Sequence, residues 1–192
     1  MIIGLMGYAG AGKSTVARIL RERHGFDAPH IGRPLKRMLA ALLEEIGYDA
    51  AMIERYVDGD LKRETIPELG VTSTFAQQTL GTEWGRDCIG RGLWLSLWLR
   101  KADAAITAGG RIVQESLRFP NEVAALRERR ALIVEVRRPG VGPLSDHESE
   151  RLPGEPDIVL DNDGCIDLLG GRVDRLMASV RCARRPMAVP VG

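Results

Sequence analysis

Cysteine and histidine are scarce in this 192-residue sequence, which contains three of each. Cys88, Cys165 and Cys182 are odd in number, widely spaced and without a Cys-x-x-Cys pair, which argues against a disulfide framework and against a zinc site. The segment HESE at residues 147–150 lacks the second histidine of a zinc-binding helix. We therefore expect reduced thiols in a cytoplasmic protein.

Net charge and long hydrophobic runs are also lacking. The 27 basic and 26 acidic residues leave a formal charge of +1, which gives no reason to expect nucleic-acid or membrane binding through bulk electrostatics. No run approaches the roughly 20 apolar residues of a membrane span, and the first residues enter an apolar strand without a basic leader. The expected partners are small molecules, and the sequence leaves a homodimer open.

Glycine, by contrast, is plentiful, and part of it lies where a phosphate loop requires it. Residues 7–15 read GYAGAGKST and fit the pattern G-x-x-x-x-G-K-[ST]. Glycines in such a loop let successive N–H groups point inward and form an anion site at the start of a helix. An apolar run precedes the loop, and Val16, Ile19 and Leu20 share one face of the helix that follows. The order of strand, loop and helix predicts a nucleoside triphosphate site.

The loop pattern assigns a chemical role to individual positions. Lys13 is expected to reach the β- and γ-phosphates of the triphosphate, and the Ser14 hydroxyl is expected to bind Mg²⁺. The loop residues expected to contact ATP are Gly7, Ala9, Gly10, Ala11, Gly12, Lys13, Ser14 and Thr15.

Strand and helix patterns alternate along the rest of the chain. Strands are predicted at 1–6, 28–32, 111–116, 131–136 and 157–161, and helices at 14–22, 34–46, 73–80, 93–107, 120–130 and 166–181. This alternation predicts an α/β protein with a three-layer P-loop NTPase fold, in which helices flank a five-stranded parallel sheet. We expect one domain over residues 1–182, followed by a loose tail at 183–192. Within the domain we expect a helical insertion at about 33–110, which would bind the acceptor of the phosphate and is irregular over 48–72. A lid-like loop is expected at 138–156.

Polar clusters follow the predicted strands and indicate what receives the phosphate. They lie at residues 115–118, 137–138 and 161–164, and the carboxyl ends of parallel strands meet at one edge of a sheet. Several arginines opposite an anion site suit two phosphorylated ligands held end to end. A GTPase is disfavoured because the chain has no N-K-x-D motif for guanine. The residues by themselves therefore indicate a P-loop kinase of a small phosphorylated acceptor.

Four segments then resemble a known family. The segments TLGTEWGRD (79–87), LRFPNE (117–122), RPLK (33–36) and DNDG (161–164) are similar to those of phage-type deoxynucleoside monophosphate kinases, which belong to the P-loop nucleoside monophosphate kinase group. The resemblance runs over about residues 1–180. It implies phosphorylation of a deoxynucleoside monophosphate to the diphosphate, with ATP as donor and Mg²⁺ as cofactor.

The resemblance also implies roles for residues outside the loop. Arg118 matches the arginine of RFPNE and is expected to bind phosphate between donor and acceptor, so that Lys13, Arg118 and Arg86 form the catalytic set. Arg86 is expected to clamp the acceptor's monophosphate. The other residues with implied roles are Glu83 as a partner of Arg86, Lys36 near the monophosphate, Gln78 at a base edge, Asn162 and Gly164 on ATP, and Glu115 supporting Mg²⁺. Arg137, directly before the lid-like loop, is expected to touch phosphate together with Arg138 or Arg151 of that loop.

Two positions depart from the family pattern, and two alternatives stay open. Ser116 stands where the family often has aspartate, and Thr74 stands where it often has arginine. One alternative is a kinase of another acceptor such as dephospho-coenzyme A, whose family shares a late N-[ND]-G segment but lacks the GTEWGR and RFPNE pair. The other is a non-catalytic nucleotide-binding protein. The sequence does not specify the base or the sugar of the acceptor.

Overall fold

The computed structural model describes residues 1–143 and 151–183, with residues 181–183 described by their backbone only, and it divides the chain into two compact units. The first, which we call the sheet unit, combines Met1–Ala28 with the chain from Ala104 onward. The second, which we call the helical unit, covers Pro29–Asp103. The predicted tail at 183–192 lies almost wholly outside the described residues.

The elements of the described residues follow in chain order. The strands are β1 (Ile2–Met6), β2 (Thr65–Ile66), β3 (Val71–Thr72), β4 (Ile112–Gln114), β5 (Leu132–Arg137) and β6 (Ile158–Asp161). The α-helices are α1 (Lys13–His24), α2 (Arg33–Ile46), α3 (Ala50–Val57), α4 (Ser73–Thr79), α5 (Leu93–Thr107), α6 (Pro120–Glu128) and α7 (Ile166–Ala183). A 3₁₀-helix covers Asp60–Arg63, and a π-helix covers Leu80–Ile89.

The sheet unit is built on a parallel sheet with the strand order β4-β1-β5-β6. In its register Ile3 lies beside Val113 on one side and Leu132 on the other. Because all four strands run the same way, the segments that follow β1, β4, β5 and β6 emerge at one edge of the sheet. The predicted α/β class with a parallel sheet flanked by helices is confirmed.

The prediction of five strands is wrong, because residues 28–32 form no strand. Asp27 alone pairs with Ile112, in an isolated parallel bridge. Pro29 then lacks the N–H that would continue the ladder, and the ring of His30 accepts a backbone hydrogen bond in the turn that leads into α2. The sheet in the described residues therefore has four strands.

Helices cover both faces of this sheet. Alternate strand residues such as Ile3 and Leu5 join α1 and α7 in one buried cluster. On the other face, a Cβ added to Gly4 would lie 2.8 Å from a methyl carbon of Leu126 on α6. Strands buried on both faces account for the nearly continuous apolar sequence of β1 and β5.

The helical unit has a separate core, and it corrects the prediction that residues 48–72 are irregular. Asp49 caps α3 by accepting a hydrogen bond from the Met52 N–H at 2.8 Å, and β2 pairs with β3 in a short antiparallel hairpin. Ile66 of the hairpin is fully buried. The buried members of this core are Leu39, Leu43, Tyr56, Val57 and Ile66. Charged exposed neighbours concealed these widely spaced apolar residues in the sequence.

No helix in the described ranges is both long enough and apolar enough to cross a membrane.

A charged cluster ties the C-terminal end of α1 to α7. Asp174 accepts hydrogen bonds from His24 Nε2 at 2.7 Å and from Arg23 Nη1 at 3.0 Å. The hydrogen bond to His24, followed by the one to Arg23, holds the pKa of the Asp174 carboxyl below its usual range. The ionised carboxylate therefore contributes to the packing of the two helices.

We expect Asp174→Asn to lower the melting temperature at about pH 7, with a penalty that shrinks in acid. The pKa of Asp174 is lower in the folded chain than the value of about 3.9 in an unfolded chain. The stabilisation that the carboxylate provides is therefore fully present above the pKa of the unfolded state, and it is lost as the pH falls through the pKa of the folded state. Thermal unfolding of wild type and variant between about pH 7 and about pH 3 measures this difference. Glu45→Gln, at an exposed position of α2, serves as the control. A penalty that is equal at all pH values contradicts the assignment.

Candidate active site

The loop after β1 turns tightly because two glycines approach other backbone or side-chain atoms closely. Gly7 has a φ of +136°, and a Cβ there would lie 2.4 Å from the Val136 carbonyl oxygen. Gly12 has a φ of +106°, and its Cβ would lie 2.5 Å from Asn162 Nδ2. Both conformation and space therefore require glycine at these positions.

Lys13 is the first residue of α1, and its side chain folds over the loop. Its Nζ donates hydrogen bonds to the carbonyl oxygens of Gly7 at 2.7 Å and Tyr8 at 2.8 Å. No side chain caps this helix and no acidic residue lies in its first turn. The helix N-terminus therefore offers backbone N–H donors and a positive dipole end beside an ammonium group, a combination that suits phosphate.

The turn after β6 reaches the loop from the opposite end of the chain. Asn162 Nδ2 donates to the Ala11 carbonyl oxygen at 2.9 Å. Gly164, the last residue of the DNDG segment, lies against Leu168. The structure thus brings Asn162 to the loop, and it puts Gly164 two residues before the start of α7.

The segment after β4 presents Arg118 beside the same loop. Its Nε donates to Ser116 Oγ at 3.2 Å, and its backbone N–H donates to the Glu122 carboxylate at 2.8 Å. Ser116, a position of departure from the family pattern, therefore orients the Arg118 guanidinium. Lys13 and Arg118 line one recess, whose full set of lining residues is Gly7, Tyr8, Ala9, Lys13, Leu117, Arg118, Arg151, Leu152 and Pro153.

Arg137, predicted to touch phosphate, makes an ion pair with a buried carboxylate. Its Nε and Nη2 donate to the two oxygens of Glu135 at 3.1 and 3.0 Å, and the Glu135 side chain is only 6% exposed. This hydrogen bonding raises the pKa of the Arg137 guanidinium. The pairing holds the guanidinium at the end of β5.

The predicted lid at 138–156 is described only in part. Residues 138–143 and 151–156 have no helix or strand, and residues 144–150 lie outside the described residues. Arg151, at the end of this segment, belongs to the recess of Lys13 and Arg118.

In the helical unit, the GTEWGR segment forms a π-helix that packs on Trp94. Trp94 Nε1 donates to the Gly81 carbonyl oxygen at 2.8 Å. A Cβ on Gly85 would lie 2.3 Å from Trp94 Cζ2, and the rings of Trp84 and Trp94 are 6.1 Å apart. Trp94 thus contacts both glycines of the segment.

Arg86, Glu83 and Gln78 all lie in the helical unit, on the π-helix or the helix before it. Arg86 is half-buried and its Nη1 lies 3.4 Å from the Arg91 carbonyl oxygen, whereas Glu83 and Gln78 are exposed. The buried residue beside Gln78 is Gln77, which donates to the Val57 carbonyl oxygen and to Ser73 Oγ. Gln78 thus keeps a side chain that is available to a ligand.

Thr74 and Lys36 both make contacts within the helical unit. Thr74 Oγ1 donates to the Lys62 carbonyl oxygen at 3.0 Å, so the residue at this departure from the family pattern ties α4 to the 3₁₀-helix. Lys36 pairs with Asp58 and lines a groove between α2 and α3 with a volume of about 630 Å³. The charged residues of the groove are Arg33, Lys36, Arg37, Glu44, Glu54 and Asp58.

The two residues predicted to bind Mg²⁺ differ in exposure. Ser14 is exposed in the first turn of α1, and Glu115 is half-buried directly after β4. In the parts of the chain that the structure describes, no three His, Cys, Asp or Glu side chains gather in a way that could hold a metal ion.

Comparison with known proteins adds one relative and one similar fold. No family model matches the chain. The chain is 28% identical over 187 residues, covering 87% of its length and 91% of the other's, to a protein of Acanthamoeba polyphaga mimivirus named "Putative deoxynucleotide monophosphate kinase". It also resembles the crystal structure of TT1252 from Thermus thermophilus, with a TM-score of 0.52, 17% identity and coverage of 97% of this chain and 98% of that one. This second likeness concerns the fold alone.

Sequence reasoning missed three residues that hold the site residues in place. Arg172 of α7 donates to the Asp161 carbonyl oxygen and to Asp163 Oδ1 at 2.7 Å, so it fixes the turn that carries Asn162. Trp94 supports the π-helix, and Ser116 orients Arg118. Arg172 had no signal in the sequence, since an arginine on an amphipathic helix ordinarily faces solvent.

We expect Gly85→Ala to destabilise the protein by about 1–3 kcal/mol, because the added methyl group overlaps the Trp94 ring and forces the packing apart. Urea unfolding measures the free energy. Gly92→Ala is the matched control, since a Cβ at Gly92 meets nothing within 4 Å and its effect should stay within about 0.5 kcal/mol. Equal effects of the two substitutions would mean that the Trp94 contact is not tight.

Proposed function

We propose that this protein is a nucleoside monophosphate kinase-type phosphotransferase that uses ATP to phosphorylate a deoxynucleoside monophosphate. An oxygen of the acceptor's phosphate attacks the γ-phosphorus of ATP, the bond from that phosphorus to the β,γ-bridging oxygen breaks, and ADP and the deoxynucleoside diphosphate leave. Such a transfer depends on positioning and on neutralising charge more than on covalent chemistry by the protein.

The observation that carries the proposal is the recess that combines Lys13, Arg118 and the glycine loop at the start of α1. Three cationic side chains, those of Lys13, Arg118 and Arg151, line this recess at the N-terminus of α1, and their charge suits the triphosphate end of ATP. Gly12 and Asn162 hold the loop in its turned conformation. A purely structural turn does not need three cations beside it.

The acceptor class rests on the name of the mimivirus relative and on the resemblance of the GTEWGR and RFPNE segments. In this proposal Arg86 clamps the monophosphate with Glu83 beside it, and Gln78 meets the base edge. Lys36 and Arg137 add positive charge for the phosphates. Ser116 orients Arg118 beside the glycine loop.

Mg²⁺ fits the donors that the sheet unit offers. The Ser14 hydroxyl and the Glu115 carboxylate are oxygen donors, which this hard cation prefers. When bound, the ion neutralises charge on the β- and γ-phosphates. Ser14 would hold it directly, and Glu115 would bind the water around it.

Lys13→Ala is expected to lower kcat by about 100-fold or more, because the ammonium stabilises charge on the transferred phosphoryl group. Purified protein is incubated with ATP, Mg²⁺ and each of the deoxynucleoside monophosphates, ribonucleoside monophosphates and dephospho-coenzyme A, and the phosphorylated product is measured. Wild type should form a diphosphate from at least one deoxynucleoside monophosphate.

Lys101→Ala, at an exposed lysine of α5, is the control and should retain full turnover. The melting temperature of both variants establishes that they are folded. Wild-type turnover in Lys13→Ala contradicts the role of the loop, and product from dephospho-coenzyme A alone replaces the proposed acceptor.

Substitution of two arginines separates the acceptor site from the transfer step. Arg86→Ala should raise the KM for the monophosphate at least about tenfold, or roughly 1.4 kcal/mol, while ATP affinity without acceptor stays nearly unchanged. Arg118→Ala should instead lower kcat, because its charge acts on the phosphoryl group in transfer. Steady-state kinetics with each substrate varied in turn measures both effects.

Arg100→Ala, an exposed arginine on α5, is the matched control for loss of one surface charge. Arg86→Lys should stay impaired, since lysine cannot form a bidentate contact with phosphate. Unchanged kinetics in both alanine variants would mean that the acceptor is bound by other residues.

A further inference from the structure

We propose that Arg172 of α7 is a positioning residue for the nucleotide site, acting through Asn162 on the backbone of the glycine loop. The inference rests on the proposed function, because it names a residue that shapes the ATP site of that kinase. Arg172 lies on α7, the last helix among the described residues.

The path from Arg172 to the loop consists of hydrogen bonds. Arg172 Nη1 donates both to the Asp161 carbonyl oxygen and to Asp163 Oδ1, the residues on either side of Asn162. Asn162 Nδ2 in turn donates to the Ala11 carbonyl oxygen at 2.9 Å. A backbone hydrogen bond from the Asn162 N–H to the Arg137 carbonyl oxygen, at 2.6 Å, keeps the turn in line with β5.

The effect on the loop follows from the geometry of the peptide bond. A trans peptide is planar, so the N–H of Gly12 points in the opposite direction to the Ala11 carbonyl oxygen. By holding that oxygen, Asn162 directs the Gly12 N–H away from itself. The orientation of this phosphate donor is therefore set by a side chain that lies 151 residues beyond Ala11.

Arg172 is suited to this task because it is only partly exposed. Its side chain is 25% exposed, against 46% for Asp163, and the hydrogen bond that the guanidinium donates lowers the pKa of the Asp163 carboxyl. The contact with the Asp161 carbonyl oxygen adds a second anchor on the same nitrogen. Two anchors on either side of Asn162 restrict the turn more than a single surface ion pair does.

The test compares Arg172→Ala, Asp163→Asn and Asn162→Ala with wild type. Without nucleotide, amide hydrogen exchange of the peptide covering residues 7–15 should be faster in all three variants. The Kd for ATP should rise about fivefold to tenfold in Arg172→Ala, which corresponds to the loss of about one hydrogen bond. Arg172→Lys should recover part of this affinity, because an ammonium can still reach an acceptor in the turn.

Arg127→Ala is a matched control at the other end of β6. Arg127 of α6 donates to the Glu155 carbonyl oxygen at 2.7 Å and to Asp157 Oδ1 at 3.1 Å, the same two kinds of acceptor. It should lower the melting temperature as much as Arg172→Ala does and leave the Kd for ATP unchanged. A purely structural role of Arg172 predicts instead that the two variants behave alike in both measurements.

The double variant Arg172→Ala, Asn162→Ala decides whether the two residues act in series. Its Kd for ATP should equal that of Asn162→Ala alone, since removal of Asn162 already breaks the path. Additive effects, or unchanged exchange over residues 7–15 in Arg172→Ala and in Asp163→Asn, overturn the inference. If wild type itself does not bind ATP, the proposed function fails, and the exchange measurement still tests the path.

Discussion

The whole candidate site depends on the close approach of the glycine loop to its two neighbours. Gly7 lies under the Val136 carbonyl oxygen, and Gly12 lies against Asn162, with no room for a side chain at either position. The loop can take this shape only because β1 lies between β4 and β5, with β6 one strand further. The strand order therefore places Val136 and Asn162 beside the loop, and glycine at positions 7 and 12 leaves room for these close contacts.

In the helical unit a glycine also allows close packing, here against an aromatic ring and not against a strand. Gly85 lets a π-helix pack on Trp94, and the indole N–H donates to the Gly81 carbonyl oxygen of the same helix. π-Helical geometry is rare and is often found at functional sites. In both units, then, small residues allow an unusual backbone, and a neighbouring side chain holds it in place.

The sequence predicted the fold where local patterns are strong. The periodicity of α5 predicted its bounds, and the apolar runs predicted β1, β5 and β6 to within a residue or two. It failed at residues 28–32, where an apolar composition concealed the missing N–H of Pro29, and at residues 48–72, where charged residues concealed a core that only tertiary contacts assemble. The loop residues and Asn162 could be predicted to lie together because parallel strands bring their carboxyl ends to one edge. The contacts of Arg172 with the turn after β6 and of Trp94 with the π-helix could not be predicted, since no pattern connects the segments that they join. The contact between Ser116 and Arg118, two residues apart, depends on side-chain conformation that the sequence pattern does not specify.

The contact between Asn162 and Ala11 also bears on the order in which the protein becomes competent during synthesis. The glycine loop precedes β4 and β5 in the chain, and β1 cannot pair until these two strands have followed. The side chain that holds the Ala11 carbonyl oxygen, that of Asn162, follows it by 151 residues. Contacts between such distant segments form late because a long loop must close first. A growing chain would thus lack the contact that holds the Ala11 carbonyl oxygen until the turn after β6 has been made.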